Sequence, residues 1–243
     1  GLEYRTSGQG NISLGRNIAV TTGAEMAEWV AMTDDDCEVA EGWLVAFLDA
    51  QQAKDADVVC GPLLLRAAPG SPSWITEQPF FEDAQFRHPD LAPMGEAATN
   101  NSMLRAALWN DNPDVRFLPE LGVLGGEDMV FYRSFHRRAG AEIRFAADAI
   151  VYGNEPLDRM TFGYQMKSRF WLGNTEYVTN TTLGDASPGR LVVRAARRFA
   201  EAIARPIFRL AHGEPPQFRY AAACAARAAG LAAGPFGMKM RHH

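Results

Sequence analysis

The chain has three cysteines in 243 residues, Cys37, Cys60 and Cys224, an odd number with no two close in sequence. They form no close-spaced metal motif, and the usage fits a reducing compartment better than a disulfide framework. His88, His136 and His212 lack the spacing of metal ligands. No uninterrupted apolar run reaches the roughly 18 to 20 residues of a membrane span, and no basic-then-apolar signal pattern opens the sequence. A cytoplasmic protein is expected. There is also no general surplus of positive charge, the net being -5. Residues 1–186 carry 14 Lys/Arg against 27 Asp/Glu, whereas residues 187–243 carry 10 against 2. An acidic body argues against nucleic acid as the main partner. The basic tail stands apart.

What the chain does have is 47% hydrophobic content, enough to bury a substantial core. Its pattern predicts a helix over 12–24, a strand over 27–33 and a helix over 40–54, then a strand over 56–66. A helix over 99–110 follows, with Asn100 or Asn101 as N-cap, then a helix over 127–139 stopping at Gly140 and a strand over 142–150. This is α/β order. Residues 67–97, rich in Pro and Gly, read as a long irregular connection. Pro188-Gly189 marks a boundary between a domain of residues 1–186 and a basic helical extension of residues 187–243.

Two acidic motifs carry chemistry. Asp34-Asp35-Asp36 closes the apolar run Trp29, Val30, Ala31 and Met32, so a buried strand would deliver three carboxylates to its C-terminal mouth, where open α/β sheets place ligands. Carboxylates collected there suit a hard divalent cation and its phosphate ligands; a solvated acidic turn is the alternative. Glu127-Asp128 follows Gly122-Val123-Leu124-Gly125-Gly126 and opens an amphipathic segment with Met129, Val130, Phe131 and Phe135. Such a loop lets backbone and acid approach a substrate closely. Acids that merely complement a helix dipole are the alternative.

Taken in order, Asn11 to Asn17 (NISLGRN), Trp29 to Asp36 (WVAMTDDD), Gly42-Trp43-Leu44, Thr99 to Arg105 (TNNSMLR), Gly125 to Asp128 (GGED) and Gly140 to Tyr152 (GAEIRFAADAIVY) resemble the inverting GT-A glycosyltransferases. The resemblance covers residues 10 to 180. It implies a GT-A-like, Rossmann-like mixed sheet flanked by helices, a nucleotide-sugar donor, and a carbohydrate or lipid-linked acceptor. Asp34 and Asp36 would be the outer members of a DxD element that binds Mg or Mn with the donor diphosphate, with Asp35 between them. Asp128 matches the catalytic base, with Glu127 as the competing candidate. Arg16 and Asn17 match the donor-holding pair of the nucleotide-side helix, and Thr99-Asn100-Asn101 the segment that touches donor sugar and acceptor, with Asn100 and Asn101 as the acceptor-binding candidates. Lys167 and Arg169 lie in a segment with the Gln, Arg and Trp of the element found in processive members, but its wider spacing resembles the nonprocessive bacterial relatives more; they either reach the diphosphate or stand as exposed cations. Trp74 either offers an acceptor sugar a stacking face or packs.

Where many relatives carry a histidine, this chain has Tyr152-Gly153-Asn154-Glu155, so no third metal ligand is expected. Only 33 residues precede Asp34, and the first part of the nucleotide-binding half is expected to be missing. The competing class is a noncatalytic membrane-surface or assembly protein built on a glycosyltransferase domain. Residues 189–212 are expected to form an amphipathic helix, with Arg190, Arg194, Arg198, Arg205 and Arg209 opposing Val192, Ala196, Phe199, Ile203, Ile207 and Leu210 and Pro206 kinking it. Such a helix lies on an anionic membrane, here the inner face of the cytoplasmic membrane, or packs its apolar stripe on the domain.

Overall fold

A computed structural model describes residues 3–82 and 87–241. The chain divides into two units, one of Gly1–Arg66 with Ala84–Asn154 and one of Ala67–Asp83 with Glu155–His243.

In the first unit the strands are β1 (Trp29–Thr33), β2 (Cys37–Val39), β3 (Val58–Cys60), β4 (Leu63–Ala67), β5 (Pro93–Met94), β6 (Asn101–Arg105), β7 (Ile143–Phe145) and β8 (Val151–Glu155). Helices α1 (Ile12–Met26), α2 (Trp43–Lys54), α4 (Ala106–Asp111) and α5 (Glu127–Ser134) surround them. The expected mixed sheet flanked by helices is present. Five strands run in the order β1-β6-β3-β7-β5, and three more form a second sheet, β2-β8-β4. Among the described residues of the larger sheet only the β3–β7 pair is parallel. Central β3 is buried on both faces, as its unbroken apolar run requires. Val58 and Cys60 join Val20, Trp109, Phe131 and Phe135 on one side. Val59 joins Trp43, Phe47 and Met103 on the other.

Several expectations need correction. β1 is an edge strand, only partly covered, rather than a buried one. The stretch expected as a helix from residue 99 opens as β6. Its Met103 and Leu104 point to opposite cores, an alternation that suits a strand. Helix α4 begins only at Ala106, so neither Asn100 nor Asn101 caps a helix. The strand expected over 56–66 breaks at Gly61-Pro62, and that over 142–150 ends at Phe145, where a turn hydrogen-bonded from Ala149 to Ala146 leads into β8. Helix α5 runs on through a π-helical turn and stops at left-handed Gly140, as expected.

Asn101 stitches the two sheets together. Its amide nitrogen donates to the carbonyls of Pro62 (2.9 Å) and Ala149 (2.7 Å), and its oxygen accepts from the Trp43 indole (2.8 Å). Each such bond contributes on the order of 1 kcal/mol, and leaving one of these buried groups unpaired costs more.

The second unit is helical: α3 (Ser73–Thr76), α6 (Phe162–Thr182), α7 (Pro188–Ala211) and α8 (Phe218–Ala233). Thr161 caps α6 by accepting from Tyr164 N (3.2 Å), and Ser187 caps α7 with Pro188 in its first turn. Helices α6 and α8 meet backbone to backbone. A Cβ at Gly173 would come within 1.9 Å of the Arg227 carbonyl oxygen, and one at Gly230 within 1.9 Å of that of Phe170. Leu191 and Ala195 of α7 pack with Leu231 of α8 and Tyr177 of α6. The boundary expected at residue 186 is therefore no domain boundary, because the basic helix shares a core with the helix before it. The helix expected over 189–212 is present, and it continues through a buried Pro206. Its buried face is Leu191, Ala195, Ala202 and Pro206, while Val192, Val193, Phe199, Ile203, Ile207, Phe208 and Leu210 are exposed.

Candidate active site

Helix α1 is anchored before it presents anything. Asn11 caps it by accepting from Leu14 N (3.2 Å) and donates to the Pro119 carbonyl (2.8 Å). Asn17 donates to the Phe117 carbonyl (2.8 Å) and accepts from the Phe117 N–H (3.0 Å). Asn17 thus ties α1 to the segment that leads into the glycine loop. Arg16 is fixed by that anchoring. Its guanidinium donates to Glu127 Oε1 and to Asp34 Oδ1, the latter at 3.4 Å. One cation from the NISLGRN segment therefore joins the DDD turn to the GGED loop.

The acidic triplet forms a tight turn between β1 and β2, closed by Cys37 N–H donating to the Asp34 carbonyl (3.2 Å). Burial pushes the Asp34 carboxyl above its ordinary value; Arg16 opposes this, and the neighbouring Asp36 and Asp35 charges reinforce it. The same crowding of negative charge reaches Cys37. Its thiol is pushed up to about 11 by burial and by Asp36 and Asp34. Among the described residues, no group of three or more His, Cys, Asp or Glu side chains could hold a metal ion.

Gly126 sits in the left-handed region (φ +81°) as the N-cap of α5, which a side chain would strain, and places Glu127 and Asp128 in the first helical turn. Their fates differ. The Glu127 side chain is 8% exposed and bound to Arg16, with Oε2 buried and unpartnered. Asp128 is half-buried and accepts from Met129 N–H (2.7 Å). Burial raises its carboxyl to about 6, helped by the Glu127 charge and opposed by Arg16 and by backbone hydrogen bonds from Met129 and Thr99. Of the Thr99-Asn100-Asn101 segment it is Thr99 that reaches Asp128. Thr99 is itself buried, and its hydroxyl has no partner. Asn100 lies partly exposed in the adjoining turn. Asn101 is corrected from an acceptor contact to a core residue, since it is 1% exposed and its amide is fully engaged.

No protein-family model matches the sequence. Over 171 residues the chain is 30% identical to the succinoglycan biosynthesis protein ExoM of Rhizobium meliloti (strain 1021), an alignment that takes in 68% of this chain and 52% of ExoM. The chain is a relative of ExoM. It spans about half the length of that protein. The similarity, to a protein of polysaccharide biosynthesis, agrees with the resemblance to glycosyltransferases that the motifs carry. Among solved structures, S. aureus TarS 1-349 aligns with a TM-score of 0.43 at 15% identity, and its complex with UDP-GlcNAc with 0.41 at 13%. Each alignment covers 97% of this chain and 74% of the other.

The remaining site residues belong to the second unit. Lys167 is exposed on α6. Arg169, two residues on, is buried, donates to the Phe80 carbonyl (2.9 Å) and lies over the Phe80 and Tyr220 rings. Trp74 is edge-on to Phe80 and Phe162, with Arg219 over its ring at 5.0 Å. Both belong to that unit's aromatic core, so Trp74 follows its packing alternative and Arg169 is not an exposed cation. What the sequence reading missed is the contact of Thr99 with Asp128. The only signal available was its position at the head of the asparagine pair.

Proposed function

We propose that the protein transfers a sugar from a nucleotide-diphosphate donor to a hydroxyl acceptor with inversion, in bacterial polysaccharide or glycolipid assembly. The observation that carries this reading is the bridge of Arg16 between Asp34 and Glu127, beside a carboxyl whose proton affinity is raised. A base with a pKa of about 6 is stronger than an ordinary carboxylate and still mostly ionised at neutral pH. In this reading Asp128 takes the acceptor hydroxyl proton as that oxygen attacks the anomeric carbon from the face opposite the nucleotide. Arg16 and Glu127 hold the start of α5 in place. Asp128 is favoured over Glu127 as the base because Glu127 is already paired.

Asp34 and Asp36 would hold Mg or Mn. The fit rests on three carboxylates gathered on one turn, whose charges add to burial in raising Asp34 and Cys37, and on oxygen donors, which hard cations prefer. Two carboxylates are what Mg usually takes from a protein, with donor phosphates and water completing its shell. When bound, the ion compensates charge on the departing diphosphate.

Peripheral attachment to an anionic membrane is the second reading, favoured by the exposed apolar stripe of α7 and the positive charge of residues 187–243. Among the described residues no helix is long and apolar enough to cross a membrane. The thiols of Cys37, Cys60 and Cys224 suit the cytoplasmic side. The deciding assay offers a panel of nucleotide sugars with Mn and oligosaccharide or lipid-linked acceptors, and reads acceptor-dependent release of nucleoside diphosphate. Release that Asp128→Asn abolishes supports transfer. Donor binding without any release across the panel favours the noncatalytic assembly class.

A further inference from the structure

We infer that the cleft between α6, α7 and α8 is an anion site for a phosphate- or diphosphate-bearing group. The cleft has a volume of about 280 Å³ and is lined by Arg169, Arg198, Arg205 and Arg227, with Glu201 and Ala202. Every lining residue belongs to the second unit. None of these residues except Arg169 figured in the donor reading, and the site does not depend on glycosyl transfer.

The local charges do not cancel. Glu176 of α6 is contacted by Arg194 (3.2 Å), Arg198 (2.5 Å) and Arg227 (3.7 Å). Burial opposes its ionisation, but the hydrogen bond and charge of Arg198 and the charges of Arg227 and Arg194 hold its carboxyl below the ordinary value. One carboxylate thus serves three guanidiniums. Glu201 meets Arg197 (3.4 Å). Arg205 meets the Gln217 amide oxygen at 3.5 Å and the Tyr220 ring at 4.6 Å, and among the described residues it makes no ion pair. Five guanidiniums from α7 and α8 therefore share two carboxylates, an excess of three positive charges.

The hydrogen bonds are also incomplete. The Nε atoms of Arg205 and Arg227 are buried without a partner. A buried guanidinium N–H normally finds an acceptor, and both of these belong to residues that line the cleft. Guanidinium forks match carboxylate and phosphate alike. The charge excess decides between them, because a carboxylate offsets one of the three charges whereas a diphosphate can offset all of them. The volume lies just below the roughly 300–1,000 Å³ typical of ligand pockets, so it suits a diphosphate or a phosphorylated headgroup rather than a whole nucleotide sugar.

Calorimetric titration of the full chain with inorganic diphosphate in EDTA, alongside sulfate at matched ionic strength, tests the site without donor or metal. Saturable diphosphate binding is expected, weakened roughly tenfold or more by Arg205→Gln/Arg227→Gln, the loss of charge-assisted contacts, and unchanged by Asp36→Asn. If circular dichroism shows that the double variant does not fold, Arg205→Lys replaces it; keeping the charge but losing the fork, it should weaken binding by a smaller factor. Co-sedimentation with phosphatidylcholine vesicles, with and without phosphatidic acid, separates the sources. Retention that requires phosphatidic acid and is lost in the arginine variants, without binding of free diphosphate, assigns the site to a lipid headgroup. Diphosphate binding no tighter than sulfate and no arginine-dependent retention, or binding that the arginine variants leave unchanged, overturns the inference.

Discussion

Arg16 and Glu127 stand 111 residues apart in the sequence and share a largely buried ion pair. The pair joins a helix near the start of the chain to the first turn of α5, and Asp34 shares the same guanidinium. Removing one partner of a buried pair costs about 3–5 kcal/mol, because the other charge is left without compensation. Arg16→Met is therefore expected to lower stability toward urea by an amount in that range. Adding Glu127→Gln should restore part of it. Strictly additive losses in this double-mutant cycle would mean that the two side chains do not stabilise each other.

Asp128 sets the pH dependence. With Asp128 as the proposed base, transfer would require its ionised form, so kcat/KM should fall about tenfold per pH unit below about pH 6 and level off above it. Asp128→Asn should cut transfer by about 10²- to 10⁴-fold and leave donor binding in place. If Glu127→Gln is the more damaging change, the two roles are reversed.

The same carboxyl predicts a stability effect of opposite sign. Folded Asp128 keeps its proton up to about pH 6, whereas the unfolded chain releases it near its ordinary value of 3.8. The folded state thus binds more protons between those values, and stability should fall as pH rises through that window. Asp128→Asn removes the partly desolvated charge and should raise stability by roughly 1–3 kcal/mol at pH 7 and little at pH 3. Thermal melts of both proteins across the window would reveal the difference, and parallel curves would remove the assignment.

Asp36→Asn should leave the fold intact, since Asp36 is exposed on its turn. Mn-dependent binding of a nucleoside diphosphate should weaken roughly tenfold or more as one charged oxygen ligand is lost. Calorimetry that finds the affinity unchanged would end the DxD reading.

The exposed side of α7 gives a further expectation. Ile203→Asp with Ile207→Asp changes residues that are 55% and 65% exposed, so folding should be unaffected. Recovery with anionic vesicles at low salt should disappear in that variant and decline at high salt, each Arg near the leaflet contributing on the order of 1 kcal/mol before screening. Equal recovery with neutral vesicles, or none lost in the variant, would leave α7 a structural helix.

Helices α1, α2 and α7, the acid turn and the glycine loop could be read from sequence because each is specified locally, by periodicity, capping or a positive-φ glycine. β6 could not. Ser102-Met103-Leu104 is a short apolar run that fits helix or strand equally, and only pairing with β1 and β3 decides it. The division of the chain was also hidden, because Gly173 and Gly230 join α6 to α8 through contacts that leave no hydrophobic pattern. In the site, the charges were legible and their partners were not. The pairing of Arg16 with Glu127 and the bonds of Asn17 to Phe117 leave no trace in the sequence pattern, since each joins residues about a hundred positions apart.

Asn101 carries one further consequence. Among the described residues the chain leaves the five-stranded sheet for the three-stranded one in three places: after Thr33, at Gly61-Pro62, and over residues 146–150. Asn101 faces Thr33 in the strand register and donates to Pro62 and Ala149, so all three crossings are gathered around one side chain. The acid turn begins at the next residue after Thr33. The aspartates are thus mounted on a junction rather than on a swinging loop, and their spacing is inherited from the way the two sheets are riveted. An incoming ligand meets carboxylates whose backbone is already in place, and it need not organise them at the cost of its own affinity.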